Sequence, residues 1–248
     1  MMAGMHRLLR IISTTLITAG LVILADVGLT LAWKEPVSSV YGAIQQREAE
    51  RELKELEESF LTPEVSRNAA RAGNVRERAR ILAAEFARVV ERGQGIGRVR
   101  IPEIDQDVVL VEGTDTASLQ KGPGHYTRSD NAATRRAGDG SAFPGQGRTV
   151  GIAGHRTTYL APFRRLNELE EGDEVLIEMP YANFTYELER DPFIVDPSRL
   201  EVVRNVDHER VTLTACHPLY SAAERIVAQG RLTSVSLFAP TDRIWQDP

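Results

Sequence analysis

The chain has 248 residues, 42% of them hydrophobic and 26% charged, with a formal net charge of -5. That length holds one sizeable domain plus accessory segments and leaves little room for two, and the composition argues against wholesale disorder. The basic residues are spread along an acidic chain and form no stripe, so no nucleic-acid partner is expected.

Residues Ile11 to Ala25 carry no charge, and Val27 to Trp33 continue the apolar run after a single Asp26. His6, Arg7 and Arg10 lie just ahead of it. A helix of about 23 residues crosses a hydrocarbon core of roughly 30 Å, and the basic flank predicts a cytoplasmic N-terminus with the remainder outside. A cleaved signal peptide needs a shorter core and a small-x-small site, and the nearest candidate, Thr18-Ala19-Gly20, lies too early. Asp26 costs about 3 kcal/mol at mid-membrane and less in the outer half. Residues 1–35 therefore read as a single-pass anchor in the cell membrane.

From 36 to 92 the composition turns to Glu, Arg, Ala and Gln. Ala49, Leu53, Leu56 and Phe60 form one helical stripe, and Val75, Ala79, Leu82, Phe86 and Val89 a second. Arg51–Glu55 and Glu50–Lys54 fall at i, i+4 on the wet face, and Pro63 and Gly73 bracket a break. A solvated helical stalk is expected here in preference to a coiled coil or a helix docked on the domain.

The main domain is expected over 93–240, with 241–248 as a tail. Short β-type runs follow the glycines at 93, 95 and 97: 98–101, 108–111, 149–153, 174–179, 184–188, 193–195, 211–215 and 225–232. About eight short strands with few helices predict an all-β closed barrel or sandwich. Only 161–169 reads as an internal helix.

The lone cysteine, Cys216, excludes an intramolecular disulfide. A single cysteine is by default a small buried apolar residue, but an exported one is exposed to oxidation and calls for a function. A reactive thiol needs a partner that favours thiolate and a group that stabilises an oxyanion. Of the five histidines, His6 precedes the apolar run and His208 lies in a polar turn expected to be solvated. His155 follows the apolar run Val150–Gly154, whose terminal glycine is expected to let a substrate backbone approach. Cys216 likewise ends the β-rich run Val211–Ala215, and Arg225 begins the next. Each residue alone is a weak signal.

Together, AGHRTTYLAPF (153–163), TLTACHP (212–218) and ERIVAQGRL (224–232) closely resemble sortases, specifically the class E group typical of actinobacteria. The resemblance covers roughly 95–239. It implies an N-terminally anchored, eight-stranded barrel and a cysteine transpeptidase. Residue by residue it makes His155 the catalytic histidine, Cys216 the nucleophile and Arg225 the catalytic arginine, with Thr214 lining the substrate groove. Gly122–Tyr126 looks like the class E GPGHY motif, whose tyrosine is associated with an LAxTG-type signal in place of LPxTG, so Tyr126 is a candidate substrate contact as well as a plain packing residue. His217 matches the class pattern but should face away from Cys216.

The expected partners are secreted proteins with a C-terminal sorting signal and a peptidoglycan precursor or wall amine. A pilin-polymerising enzyme and a catalytically idle, membrane-tethered binding module are the alternatives. A papain-like peptidase is disfavoured, because here the histidine precedes the cysteine. No cofactor or metal is expected; Glu103, Asp105 and Asp107 have a spacing common in plain turns. Residues 127–143 exceed the length typical of that family by roughly ten and are expected to form a surface loop with local mobility, or else part of the groove wall.

Overall fold

The computed structural model describes residues 2–32, 36–130 and 132–237; Trp33 of the apolar run and the expected tail at 241–248 lie outside them. Helix α1 (Met2–Ala32) leads the chain. Its stretch Met5–Gly28 has a mean hydropathy of 2.1, and none of it is buried. At about 1.5 Å per residue it is long enough for a hydrocarbon core. The hydroxyls of Thr14 and Thr15 donate to the carbonyls of Arg10 and Ile11, each at 2.9 Å, so these polar groups are satisfied within the helix.

Helix α2 (Pro36–Phe60), α3 (Pro63–Ala70) and α4 (Val75–Phe86) follow. Thr62 and Asn74 cap α3 and α4, accepting from Val65 N and Glu77 N. The strands are β1 (Gly95–Ile101), β2 (Gln106–Glu112), β3 (Gly124–His125), β4 (Thr149–Gly154), β5 (Glu174–Met179), β6 (Ala182–Leu188), β7 (Phe193–Val195), β8 (Arg210–His217) and β9 (Glu224–Leu237). Helix α5 (Thr116–Lys121) precedes β3, and α6 (Ala132–Ala137) lies between β3 and β4.

The sheet runs β6-β5-β1-β2-β3-β4-β8-β9, and a β6–β9 pairing closes it into a barrel of eight strands. Closure removes the exposed edges that an open sheet would leave. The expected number of strands is therefore right, but its membership changes. Two-residue β3 completes the ring, pairing parallel to β2 and antiparallel to β4. β7, which the sequence pattern includes, pairs only with the first residues of β9 and hangs outside the ring.

The helices expected to form a solvated stalk are packed on the barrel. Ala49, Leu53, Leu56 and Phe60 of α2 and Ala79, Leu82 and Phe86 of α4 are all buried. Phe60 and Phe86 meet edge to face with centroids 5.1 Å apart, and Phe86 also contacts Tyr181 (5.2 Å) and Phe143 (5.5 Å). Burying a phenylalanine contributes roughly 1.5–3 kcal/mol, which outweighs what exposed i, i+4 pairs supply. Glu50 accordingly turns to Arg98 on β1, while Arg51 and Glu55 are only 4.0 Å apart and exposed.

Residues 161–169 do not form the expected helix. They contain only a 3-10 turn, Leu166–Glu168, because the preceding Tyr159, Leu160 and Ala161 all have positive φ. The carbonyl of Arg164, which an α-helix would use internally, accepts instead from the Arg156 guanidinium at 3.2 Å.

Candidate active site

Three neighbouring strands, β4, β8 and β9, build the site. Val150 and Ile152 of β4, Val211, Leu213 and Ala215 of β8, and Ile226 and Ala228 of β9 face the core. Alternation then puts Gly151, Ala153 and His155, then Thr212, Thr214 and Cys216, then Arg225, Val227 and Gln229, on the opposite face.

The register relates the three residues singled out in the sequence. β4 and β8 are parallel, with Ala153 beside Thr214 and Gly154 beside Ala215. His155 is the first residue past the end of β4, and the same register carried one residue further would bring it alongside Cys216. β8 and β9 are antiparallel, and Cys216 pairs directly with Arg225. With neighbouring strands about 4.8 Å apart, Cys216 and Arg225 are neighbours at the end of β8, and His155 leaves the adjacent end of β4.

Cys216 is half-buried and free. His155 is half-buried, and desolvation lowers its pKa below the ordinary 6.5, which favours the neutral imidazole. The Arg225 Nη1 donates to the carbonyls of Ala222 (3.0 Å) and Glu224 (2.9 Å), so the end of the β8–β9 loop and the first residue of β9 hold the guanidinium.

Tyr126 and Thr214 are brought together: the Tyr126 hydroxyl and Thr214 Oγ1 are 2.9 Å apart. Burial raises the Tyr126 pKa above 10.0, so it remains a neutral phenol. The ring lies over Gly151, where a Cβ would collide with it. At Gly154 the Phe163 ring fills the space a Cβ would occupy, so the glycine makes room for that ring.

On the core side of the same strand ends lies a group that sequence reasoning missed. Arg156 is only 4% exposed. Its Nη1 donates to His217 Nδ1 at 2.9 Å, and its Nη2 donates to Asn167 Oδ1 at 2.6 Å and to the Arg164 carbonyl at 3.2 Å. Burial, then the charge of Arg164, lowers its pKa from the usual arginine range. This network joins the residue after His155 to the residue after Cys216. His217 faces away from Cys216, as strand alternation requires. The available signal was a charged residue at an inward-facing position next to a strand-end histidine.

His125 and Glu112 form a second buried group. His125 Nδ1 is 2.8 Å from Glu112 Oε2, and its Nε2 is 3.0 Å from the Ala142 carbonyl. A carbonyl only accepts, so Nε2 carries a proton. Burial alone would lower the His125 pKa, but the charge and hydrogen bond of Glu112 outweigh it and the net shift is upward.

Residues 127–143 are tied down at several points. Arg92 donates to Thr127 (2.8 Å), Ser129 (2.7 Å) and Asp130 (3.0 Å), and Gly140 O accepts from Gly151 N at 2.7 Å. His208 is likewise not simply solvated, since its ring lies between Asp207 (2.8 Å) and Glu189 (3.0 Å). Asp107 is engaged by Arg98 and Arg100. Among the described residues no group of three or more His, Cys, Asp or Glu side chains is arranged to hold a metal ion.

The profile of the family described as "Sortase domain" matches residues 99–233. Sortase D of Bacillus subtilis is 31% identical over 144 residues, 57% of this chain and 65% of that protein. Sortase SrtE1 of Streptomyces coelicolor is 30% identical over 153 residues, 57% of this chain and 41% of that protein. The chain thus spans less than two thirds of the length of these curated relatives. The solved structure of Streptomyces coelicolor Sortase E1 with a tripeptide in the active site aligns with a TM-score of 0.52 and 27% identity, over 60% of this chain and 94% of that one. The closed eight-stranded barrel, the aligned strand ends and a profile match over more than half the residues lead to one conclusion: the chain belongs to the sortase family.

Proposed function

We propose that the protein is a membrane-anchored cysteine transpeptidase of class E that cleaves an LAxTG-like or LPxTG-like sorting signal between Thr and Gly. Cys216 is the nucleophile, His155 the acid–base, Arg225 the donor to substrate backbone and oxyanion, and Thr214 and Tyr126 line the groove. The observation that supports this reading is the strand register, which pairs Cys216 with Arg225 and Gly154, the residue before His155, with Ala215, the residue before Cys216.

Neutral His155 takes the Cys216 proton as sulfur attacks the Thr carbonyl carbon. The tetrahedral intermediate collapses by breaking the Thr–Gly C–N bond, and imidazolium protonates the departing glycine amine. An incoming wall amine then attacks the thioester, gives a proton to His155 and displaces the Cys216 thiolate. Arg225 donates to the developing oxyanion, where one donor is worth about 3 kcal/mol of barrier.

Helix α1 supports a single-pass anchor in the cell membrane, and Arg7 and Arg10 favour a cytoplasmic N-terminus with the barrel outside. The substrates are secreted proteins bearing the C-terminal signal, and the acceptor is a peptidoglycan precursor or wall amine. Residues 36–92 belong functionally with the barrel, because α2 and α4 add Leu56, Phe60, Leu82 and Phe86 to its core.

The test uses the full chain in detergent with LAxTG and LPxTG peptides and a series of amines, beside Cys216→Ala. Amine-dependent transfer by the wild type alone supports the reading. Equal inertness of both chains with every peptide, while both retain a partner protein, would favour the idle binding module.

A further inference from the structure

The backbone just beyond His155 is held in an uncommon conformation. Tyr159, Leu160 and Ala161 have φ of 47°, 66° and 47°, three successive left-handed residues without a glycine. Such a run persists only where its surroundings over-determine it. The Ala161 N–H donates to the Thr158 carbonyl at 2.8 Å, but a local bond of this kind is available to any turn. What distinguishes this one is its packing.

The Tyr159 ring lies between the His155 imidazole, with centroids 5.2 Å apart, and the Tyr41 ring of α2, 6.1 Å away and edge-on. Its hydroxyl accepts from Gln120 Nε2 of α5 at 3.1 Å. One residue after Tyr41, buried Gly42 presses on the same turn: a Cβ there would lie 3.1 Å from the Tyr159 carbonyl carbon and 3.2 Å from Leu160 Cγ.

These first turns of α2 are themselves fixed to the barrel. The Gln46 side chain behaves as a short stretch of strand on the edge of β2. It accepts from Val109 N at 2.9 Å and donates to the carbonyls of Val109 (3.2 Å) and Lys121 (2.6 Å). An unbroken set of contacts therefore runs from β2 through Gln46, Tyr41 and Gly42 to Tyr159 and His155.

We propose that the N-terminal turns of α2 are a working part of the site, with Tyr41, Gly42 and Tyr159 acting as positioning residues that hold the His155 imidazole for proton transfer. The proposal rests on the reading of His155 as the acid–base. It also gives α2 a role beyond covering the core, because α2 begins four residues after the apolar helix α1 ends. The segment that leads from the anchor to the barrel would then be the segment that orders the histidine.

The test compares Tyr41→Ala, Tyr41→Phe and Gly42→Val with the wild type as full chains in detergent. Three readouts are needed: kcat and KM for transfer from a sorting-signal peptide, the His155 titration by NMR, and the melting temperature. Tyr41 is 45% exposed, so its truncation should leave melting nearly unchanged. Tyr41→Ala and Gly42→Val should each lower kcat about tenfold, consistent with a displacement of well under 1 Å. KM should stay within a factor of about two, and the His155 midpoint should move up toward its ordinary value as water reaches the ring. Tyr41→Phe should restore both kcat and the midpoint.

Folded variants with wild-type kcat and His155 titration would overturn the proposal. If Gly42→Val does not fold, the two Tyr41 variants decide. If the wild type itself transfers no peptide, the transpeptidase reading fails separately; an unmoved His155 titration in Tyr41→Ala would still refute the contact.

Discussion

Replacing Arg156 by Met keeps an unbranched stem in a buried place and removes the guanidinium that joins the two strand exits. Three of its bonds are well formed, to Asn167 Oδ1 (2.6 Å), His217 Nδ1 (2.9 Å) and the Arg164 carbonyl (3.2 Å); contacts at 3.4 and 3.5 Å count for little. Asn167 is exposed, so water can replace its partner. That leaves two acceptors without their charged donor, and at about 1.5 kcal/mol each the expected loss of stability is about 3 kcal/mol. The effect on transfer should be larger than global stability suggests, because a shift of about 1 Å between reacting groups costs roughly 10²-fold in rate. Arg156→Lys keeps the charge but not the fork of donors, and should fall between the two. Urea unfolding followed by circular dichroism gives the stability term, and the acylation rate at saturating peptide gives the functional one. A variant that unfolds at the wild-type urea concentration and acylates at the wild-type rate would refute the idea that this network sets the His155–Cys216 alignment.

Tyr126→Phe removes the hydroxyl that meets Thr214 at 2.9 Å; the expected cost is about 1 kcal/mol of stability, with a larger change in the ratio of LAxTG to LPxTG turnover. An unchanged ratio would leave the tyrosine a packing residue only. Gly151→Ala puts a methyl group against the Tyr126 ring and should reproduce the altered ratio through displacement of the same ring, measured with the same peptide pair. The buried His125–Glu112 pair predicts a pH dependence: the folded-state pKa of His125 is raised above 6.5, so the pair's stabilisation is complete below that value and fades as pH rises through the folded value. Melting temperatures across the neutral to alkaline range should therefore fall more steeply for the wild type than for Glu112→Gln, and parallel curves would contradict this.

The catalytic candidates were legible because each ends or begins a strongly β-patterned run. Alternation then fixes which side chains share a face, so Thr214 comes with Cys216 and His217 does not. The docking of α2 and α4 was not legible, since an Ala/Leu/Phe stripe has the same spacing whether it lies on a barrel or on another helix. β3 escaped because two residues carry no periodicity, although it closes the ring. Segment 161–169 has an apolar helical spacing, and that local preference is overridden by Phe163 packing on Gly154 and by Arg156 taking the Arg164 carbonyl. Arg156, His125 and Tyr159 share one difficulty. Each has at least one partner on another element of the fold, His217 for Arg156, Glu112 for His125 and Tyr41 for Tyr159, so neither spacing nor composition identifies them until the strands are in register.

The central claim is that Cys216 carries the acyl group. Wild-type full chain incubated with an LAxTG peptide in the absence of added amine, then mapped by mass spectrometry under mildly acidic conditions, tests it directly. The account predicts a thioester between Cys216 and the carbonyl of the signal threonine, discharged when an amine is added and absent in His155→Ala. Cleavage of the peptide with no adduct on Cys216, or an adduct on another residue, would contradict it.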